Sequence, residues 1–170
     1  MKGGMGKNKG SSFERKVCWD LSRLIDPKGE DTLFWRSAMS GGRSTIQKRK
    51  GIKNTTQLGD ITAVHEKGLY LTELFVIECK FYKSLGIESS LLVQKGQLYK
   101  FWKLVKKVAK RNDRSPILIA KQNRSPVLII FDKNGLQKWN TFGQEANPII
   151  YARRTNMYMC LYNEVIKCHG

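Results

Sequence analysis

TELFVIECKFYK, residues 72–83, is a largely apolar run that carries an acid and a base two residues apart in its interior, Glu78 and Lys80. In a strand, side chains alternate between faces, so these two project from the same side. An ionised carboxylate in a buried strand needs a partner. One reading of Glu78 is therefore a plain ion pair with Lys80. A second apolar run upstream, LGDITAV at residues 58–64, carries one acid, Asp60, 18 positions before Glu78. Two carboxylates and a lysine that converge at strand ends are the parts needed to hold a divalent metal beside a phosphodiester.

Charge points the same way. Lys and Arg number 31 against 14 Asp and Glu, a formal charge of +17 over 170 residues. Such an excess suits a polyanion, and nucleic acid is the expected partner. The length fits one domain, residues 11–170, preceded by a flexible basic arm, residues 1–10. That N-terminus, MKGGMGKNKG, has no apolar segment behind it, so no secretory signal is expected. No apolar run reaches the roughly 18–20 residues of a membrane span. The four cysteines, Cys18, Cys79, Cys160 and Cys168, have no zinc spacing. Cys18 and Cys79 read as small buried hydrophobes in a reduced, cytoplasmic compartment, the host's if the source is viral. Two histidines, His65 and His169, argue against a histidine-based zinc hydrolase, and His65 reads as ordinary surface.

Around the two motif strands, periodicity predicts an α/β core. Phe13, Val17, Leu21 and Leu24 recur at helical spacing over about 12–25. Ser11 or Ser12 is the cap, and Ser11 completes a capping box with Glu14. Thr32–Ala38 is a short strand, and 43–57 is a basic loop or ragged hairpin. Leu58–Val64 and Thr72–Tyr82 read as a hairpin across His65–Gly68, central in a mixed sheet. A second helix starts within 87–91 and runs to about 110. Its stripe includes Gln94, Leu98, Phe101, Trp102 and Val105, and its lysines crowd other faces. Strands follow at Pro116–Ala120 and Pro126–Phe131. Leu136–Phe142 and Ile149–Ala152 are extended, and 157–168 is either strand plus tail or a short helix. Trp35, Trp102 and Trp139 are expected in the core.

With these residues in place the chain resembles the PD-(D/E)xK nuclease superfamily over about residues 11–132, and within it the Holliday-junction-resolvase and phage-endonuclease branch. Asp60 matches the acidic half of the motif and Glu78 and Lys80 the ExK half. Cys79 takes the free middle position, and Gly59 stands where the motif has proline. Glu14 matches a first-helix glutamate of that branch, and Gln94 a glutamine beyond the ExK strand, with Gln97 as the fallback. The resemblance implies a restriction-endonuclease-like fold and a metal-dependent DNA endonuclease, selective for branched DNA such as a four-way junction and working as a homodimer. Mg²⁺, with Mn²⁺ able to replace it, would be held by Asp60, Glu78 and the backbone carbonyl of Cys79, as suits a hard cation. Lys80 would orient the attacking water or stabilise charge on the phosphate. Arg36, Arg43, Lys48, Arg49, Lys50, Lys53 and Lys95 are candidate phosphate contacts. The competing readings are a restriction-like or repair nuclease, an RNA-processing nuclease, and a nucleic-acid-binding protein without catalysis.

Overall fold

Phe75–Tyr82 forms the longest uninterrupted strand around the motif, and the rest of the fold is arranged about it. The computed structural model describes residues 4–29, 32–37 and 58–167. In chain order its elements are α1 (Gly4–Ile25), β1 (Phe34–Arg36), β2 (Ile61–Ala63), α2 (Glu66–Leu74), β3 (Phe75–Tyr82), α3 (Ile87–Val93) and α4 (Gln97–Arg111). There follow β4 (Ser115–Gln122), β5 (Leu128–Phe131), α5 (Lys133–Thr141), β6 (Ile150–Ala152), β7 (Met157–Leu161) and α6 (Tyr162–Val165).

Five strands pair in the order β3-β4-β5-β7-β6. The β3–β4 pair is parallel and the others antiparallel, so the sheet is mixed and the expected α/β class is found. Alternation along the strands splits the core in two. Ile77, Cys79, Ile117, Ile119, Ile129 and Phe131 pack with Val17 and Leu21 of α1 and Trp139 of α5. Val76, Leu118, Ala120 and Ile130 face the other way, onto Leu98, Trp102, Val105 and Ala109 of α4. These four α4 residues recur at the spacing of one helix face, which leaves the lysines of α4 outward.

Several expectations are corrected. The first helix begins at Gly4, earlier than the expected start near residue 12. The two motif strands do not form a hairpin. A helix, α2, lies between them, capped by the His65 side chain, which accepts from the Lys67 N–H at 3.2 Å. Gly68 lets α2 sit close on β1, since a Cβ there would lie 3.0 Å from the Leu33 carbonyl oxygen and the Phe34 ring. β3 is an edge strand of the five-stranded sheet, and the β1–β2 pair joins that edge through one parallel bridge, Gly59 to Ile77.

The expected long second helix is two helices. Gln94 and Gly96 both adopt positive φ, 56° and 103°, and a Cβ on Gly96 would lie 2.8 Å from the Gly86 carbonyl oxygen, so the chain turns there. Residues 133–141 are helical and not extended, because Asp132 caps them by accepting from the Gly135 N–H at 2.7 Å. The C-terminal run combines strand β7 with short helix α6. Trp102 and Trp139 are core, as expected, but Trp35 is 64% exposed.

Candidate active site

The site is built on the edge of β3. Gly59 has φ +80°, and a Cβ there would stand 2.4 Å from the Ile77 carbonyl oxygen, so the chain approaches β3 backbone to backbone. The Asp60 N–H then donates to that carbonyl at 2.8 Å. This contact aims the Asp60 carboxylate along β3. Its Oδ2 accepts from the Cys79 N–H at 2.9 Å and from Lys80 Nζ at 3.0 Å. Lys80 Nζ also donates to Glu78 Oε1. One ammonium thus joins two carboxylates, one just before β2 and one in β3. The Asp60 side chain is 6% exposed, Lys80 19% and Glu78 27%, so the cluster opens to solvent on the glutamate side.

The N–H and C=O of one strand residue point toward the same neighbour. Since the Cys79 N–H is directed at Asp60, the Cys79 carbonyl faces that edge too. The Cys79 side chain points the other way, into the core. Burial pushes its thiol well above the ordinary range, with the Asp60 charge adding to it, so it is no nucleophile.

Electrostatics divides the cluster. Burial, and then the negative charge of Asp60, raise the Glu78 carboxyl above its usual range against the attraction of Lys80. Burial alone would lower Lys80. The charges of Glu78 and Asp60 and their hydrogen bonds outweigh it and hold the ammonium above its ordinary value. Lys80 is therefore a cation in this state, with nothing to act as a base. Its Nζ also lies 5.7 Å from the centre of the Phe101 ring, a cation–π contact from α4.

Of the other predicted residues, Glu14 and Arg36 are brought together. Arg36 Nε donates to Glu14 Oε2 at 2.5 Å, which ties α1 to β1. The next residue, Ser37, donates its N–H to the Asp60 carbonyl at 2.9 Å, so this pair borders the carboxylate cluster. Gln94 is not on the stripe of a continuous helix. It closes α3, with its amide bonded to the Tyr99 hydroxyl and the Arg154 carbonyl, both at 3.3 Å. The fallback Gln97 opens α4 and is exposed. Lys95 is exposed in the turn between α3 and α4. Arg43, Lys48, Arg49, Lys50 and Lys53 lie outside the described residues. The sequence reading missed two supports of the site. Gly59 was visible only as a departure from the motif, and Phe101 only as one more apolar residue of a helix stripe.

Among the described residues no three His, Cys, Asp or Glu side chains gather as a metal cage. The oxygens that do converge are two carboxylates, with the Cys79 carbonyl directed to the same strand edge. Mg²⁺ retains several waters and is commonly held by one or two carboxylates, so this donor set fits it. The rise of Glu78 caused by Asp60 is the like-charge repulsion that a cation between them would relieve.

The family described as "Phage putative PDDEXK endonuclease" matches residues 5–166. The chain belongs to that family. The match places this endonuclease in the PD-(D/E)xK superfamily and extends beyond Asp132, so β6, β7 and α6 are part of the family's domain. No curated protein and no solved structure matches the endonuclease significantly. Among its described residues, no helix is long and apolar enough to cross a membrane.

Proposed function

We propose that this endonuclease hydrolyses DNA phosphodiesters with a divalent cation, Mg²⁺ or Mn²⁺, held by Asp60, Glu78 and the Cys79 carbonyl. The observation that carries the reading is the convergence of Asp60, just before β2, and Glu78 of β3 on the Lys80 ammonium at the edge of β3. When bound, the cation makes water more acidic and polarises the phosphate. Asp60 is fixed by the Cys79 N–H and so holds its carboxylate without reorganisation. Glu78, the more exposed of the two, faces the incoming phosphate. Lys80, held protonated, orients the attacking water or balances charge on the phosphate. Glu14 and Arg36 border the cluster, and Arg36 with Lys95 and the basic residues 43–53 supply backbone contacts.

The preferred substrate is branched DNA, a four-way junction above all, cut by a homodimer whose twofold symmetry would place two cuts. The formal charge of +17 supports this, since a basic surface grips the backbone wherever strands converge, whatever their sequence. The test is cleavage of a four-way junction beside matched linear duplex, in Mg²⁺ and in Mn²⁺. Asp60→Asn and Glu78→Gln, near-isosteric and uncharged, should lose both turnover and metal binding. Lys80→Met should lose turnover and keep the metal. No cleavage of any DNA in either metal would overturn the reading, and equal cutting of both substrates would remove the junction preference alone.

A further inference from the structure

Between α1 and β1 lies a cleft of about 370 Å³ whose lining includes Arg15, Trp19, Thr32, Trp35 and Arg36. That volume falls at the small end of ligand sites, roughly 300–1,000 Å³. Trp35 is 64% exposed and Trp19 50%. Large aromatics left this open are unusual beside a core that buries Trp102 and Trp139 completely. Among the described residues no ring or cation stacks on Trp35, whereas the Arg23 guanidinium covers Trp19 at 4.1 Å. Arg15 has no ion-pair partner among the described residues. Two exposed indoles between arginines are the pattern that seats nucleobases, since every base has a face to stack and every nucleotide a phosphate to neutralise.

Position adds to this. Arg36 lines the cleft and is bonded to Glu14, and Ser37 beyond it is bonded to the Asp60 carbonyl. Trp35 is two strand residues from Ser37, about 7 Å. A paired, stacked base cannot present its face to an indole, so the cleft selects an unpaired one.

We propose that the cleft between α1 and β1 binds an unstacked DNA base, stacked on Trp35 and walled by Trp19, within a few nucleotides of the phosphate to be cut. The inference rests on the nuclease reading and narrows it to DNA carrying unpaired nucleotides, as junctions, flaps and single strands do. Such a base-stacking site distinguishes substrates by the availability of a base face, where the basic surface alone would not.

The test measures binding of a short single-stranded oligodeoxynucleotide and a blunt duplex of equal length, in EDTA so that no cleavage intervenes. Wild type, Trp35→Ala, Trp19→Ala and Trp35→Phe are compared, with melting temperature as the fold control. Trp35→Ala should weaken single-strand binding roughly 5–150-fold, the range that base stacking on an aromatic ring supplies, and Trp19→Ala, which removes a wall of the cleft, should weaken it by less. Duplex binding should change little, and Trp35→Phe should restore most of the single-strand affinity. Unchanged single-strand binding in both alanine variants would overturn the inference and leave the nuclease reading standing. Equal losses on single strand and duplex would also overturn it. Tighter binding of the matching ribo-oligonucleotide would overturn the assignment to DNA. Wild type that binds no DNA of any kind would instead sink the nuclease reading, and this inference with it.

Discussion

Replacing Gly59 with Ala adds one methyl group, and the structure says it should disable the enzyme. The methyl carbon would stand 2.4 Å from the Ile77 carbonyl oxygen and 3.1 Å from the Ile77 nitrogen and carbonyl carbon. These are backbone atoms of β3, so no side chain can swing aside. Relief requires the 59–60 segment to retreat by about 1 Å to reach ordinary contact. That retreat stretches the Asp60 N–H bond to Ile77 and the Cys79 N–H bond to the Asp60 carboxylate, now 2.8 and 2.9 Å. Two such bonds are worth about 1–3 kcal/mol together. A φ of +80° costs a side-chain-bearing residue about 1–2 kcal/mol more. The sum, about 2–5 kcal/mol, predicts a melting temperature lower by about 4–20 °C for a domain of this size. Activity should suffer further, since a misplacement of about 1 Å in a catalytic group can cost roughly 100-fold in rate. Gly59→Pro is the sharper test. It restores the proline of the superfamily motif, yet proline fixes φ near −65° where this chain needs +80°. Proline should therefore be worse than alanine. Both would be assayed by thermal melting and by metal-dependent cleavage. Wild-type melting and cleavage in Gly59→Ala would refute the claim that this backbone contact positions Asp60.

Glu78→Gln should melt above wild type in EDTA at neutral pH. The folded Glu78 carboxyl titrates above its unfolded value, so ionising it costs stability. That cost is absent below the unfolded pKa and complete above the folded one, so the advantage of the glutamine should vanish in acid. Adding Mg²⁺ should raise the melting temperature of wild type and leave Glu78→Gln unmoved, and a metal shift retained in the variant would count against Glu78 as a ligand. The buried tryptophans should differ on replacement by Phe. Trp102 Nε1 donates to the Thr155 carbonyl at 3.0 Å, and losing that bond adds about 1 kcal/mol to the cost of lost packing. Among the described residues Trp139 Nε1 has no hydrogen-bond partner, so Trp139→Phe sheds an unpaired buried donor and should be the milder change by thermal melting.

Much of the site was legible because alternation in β3 fixes the relative direction of Glu78 and Lys80 without any tertiary knowledge. The stripe of α4 was equally legible. Other elements were hidden for identifiable reasons. Leu74 and Phe75 are both apolar, so the passage from α2 to β3 leaves no mark, and Gly68 imitates a turn where it serves a close helix packing. Gly96 interrupts an otherwise continuous lysine-rich helix, a break that only its φ of 103° reveals. Residues 133–141 did carry a signal, the Asp132 cap, but Gly135 and Asn140 weaken the helical pattern. Glu14 and Arg36 lie 22 residues apart, and only the packing of α1 on β1 joins them. The exposure of Trp35 was readable, since alternation through Phe34-Trp35-Arg36 puts the indole opposite the buried Phe34.

The cluster of Asp60, Glu78 and Lys80 is a small acidic point on a very basic chain, with two carboxylates against one ammonium. A surface of that sign draws a phosphate backbone in, while the carboxylates repel the phosphate that comes nearest. A binding protein would gain by losing them. Their presence at a partly open edge, fixed by a backbone N–H and by a glycine that admits no side chain, makes sense if a cation completes the site before or with the DNA. Lys80 then has two states to serve. Without the cation its ammonium neutralises the carboxylates and keeps the buried pair tolerable. A cation held there would give those oxygens a stronger partner and would leave the ammonium free for the phosphate or the water. DNA affinity should accordingly rise with Ca²⁺ or Mg²⁺ in wild type, and in Glu78→Gln it should be higher without metal and indifferent to its addition. Gel-shift titrations with and without the cation measure both. Wild-type affinity that falls as metal is added would contradict this account.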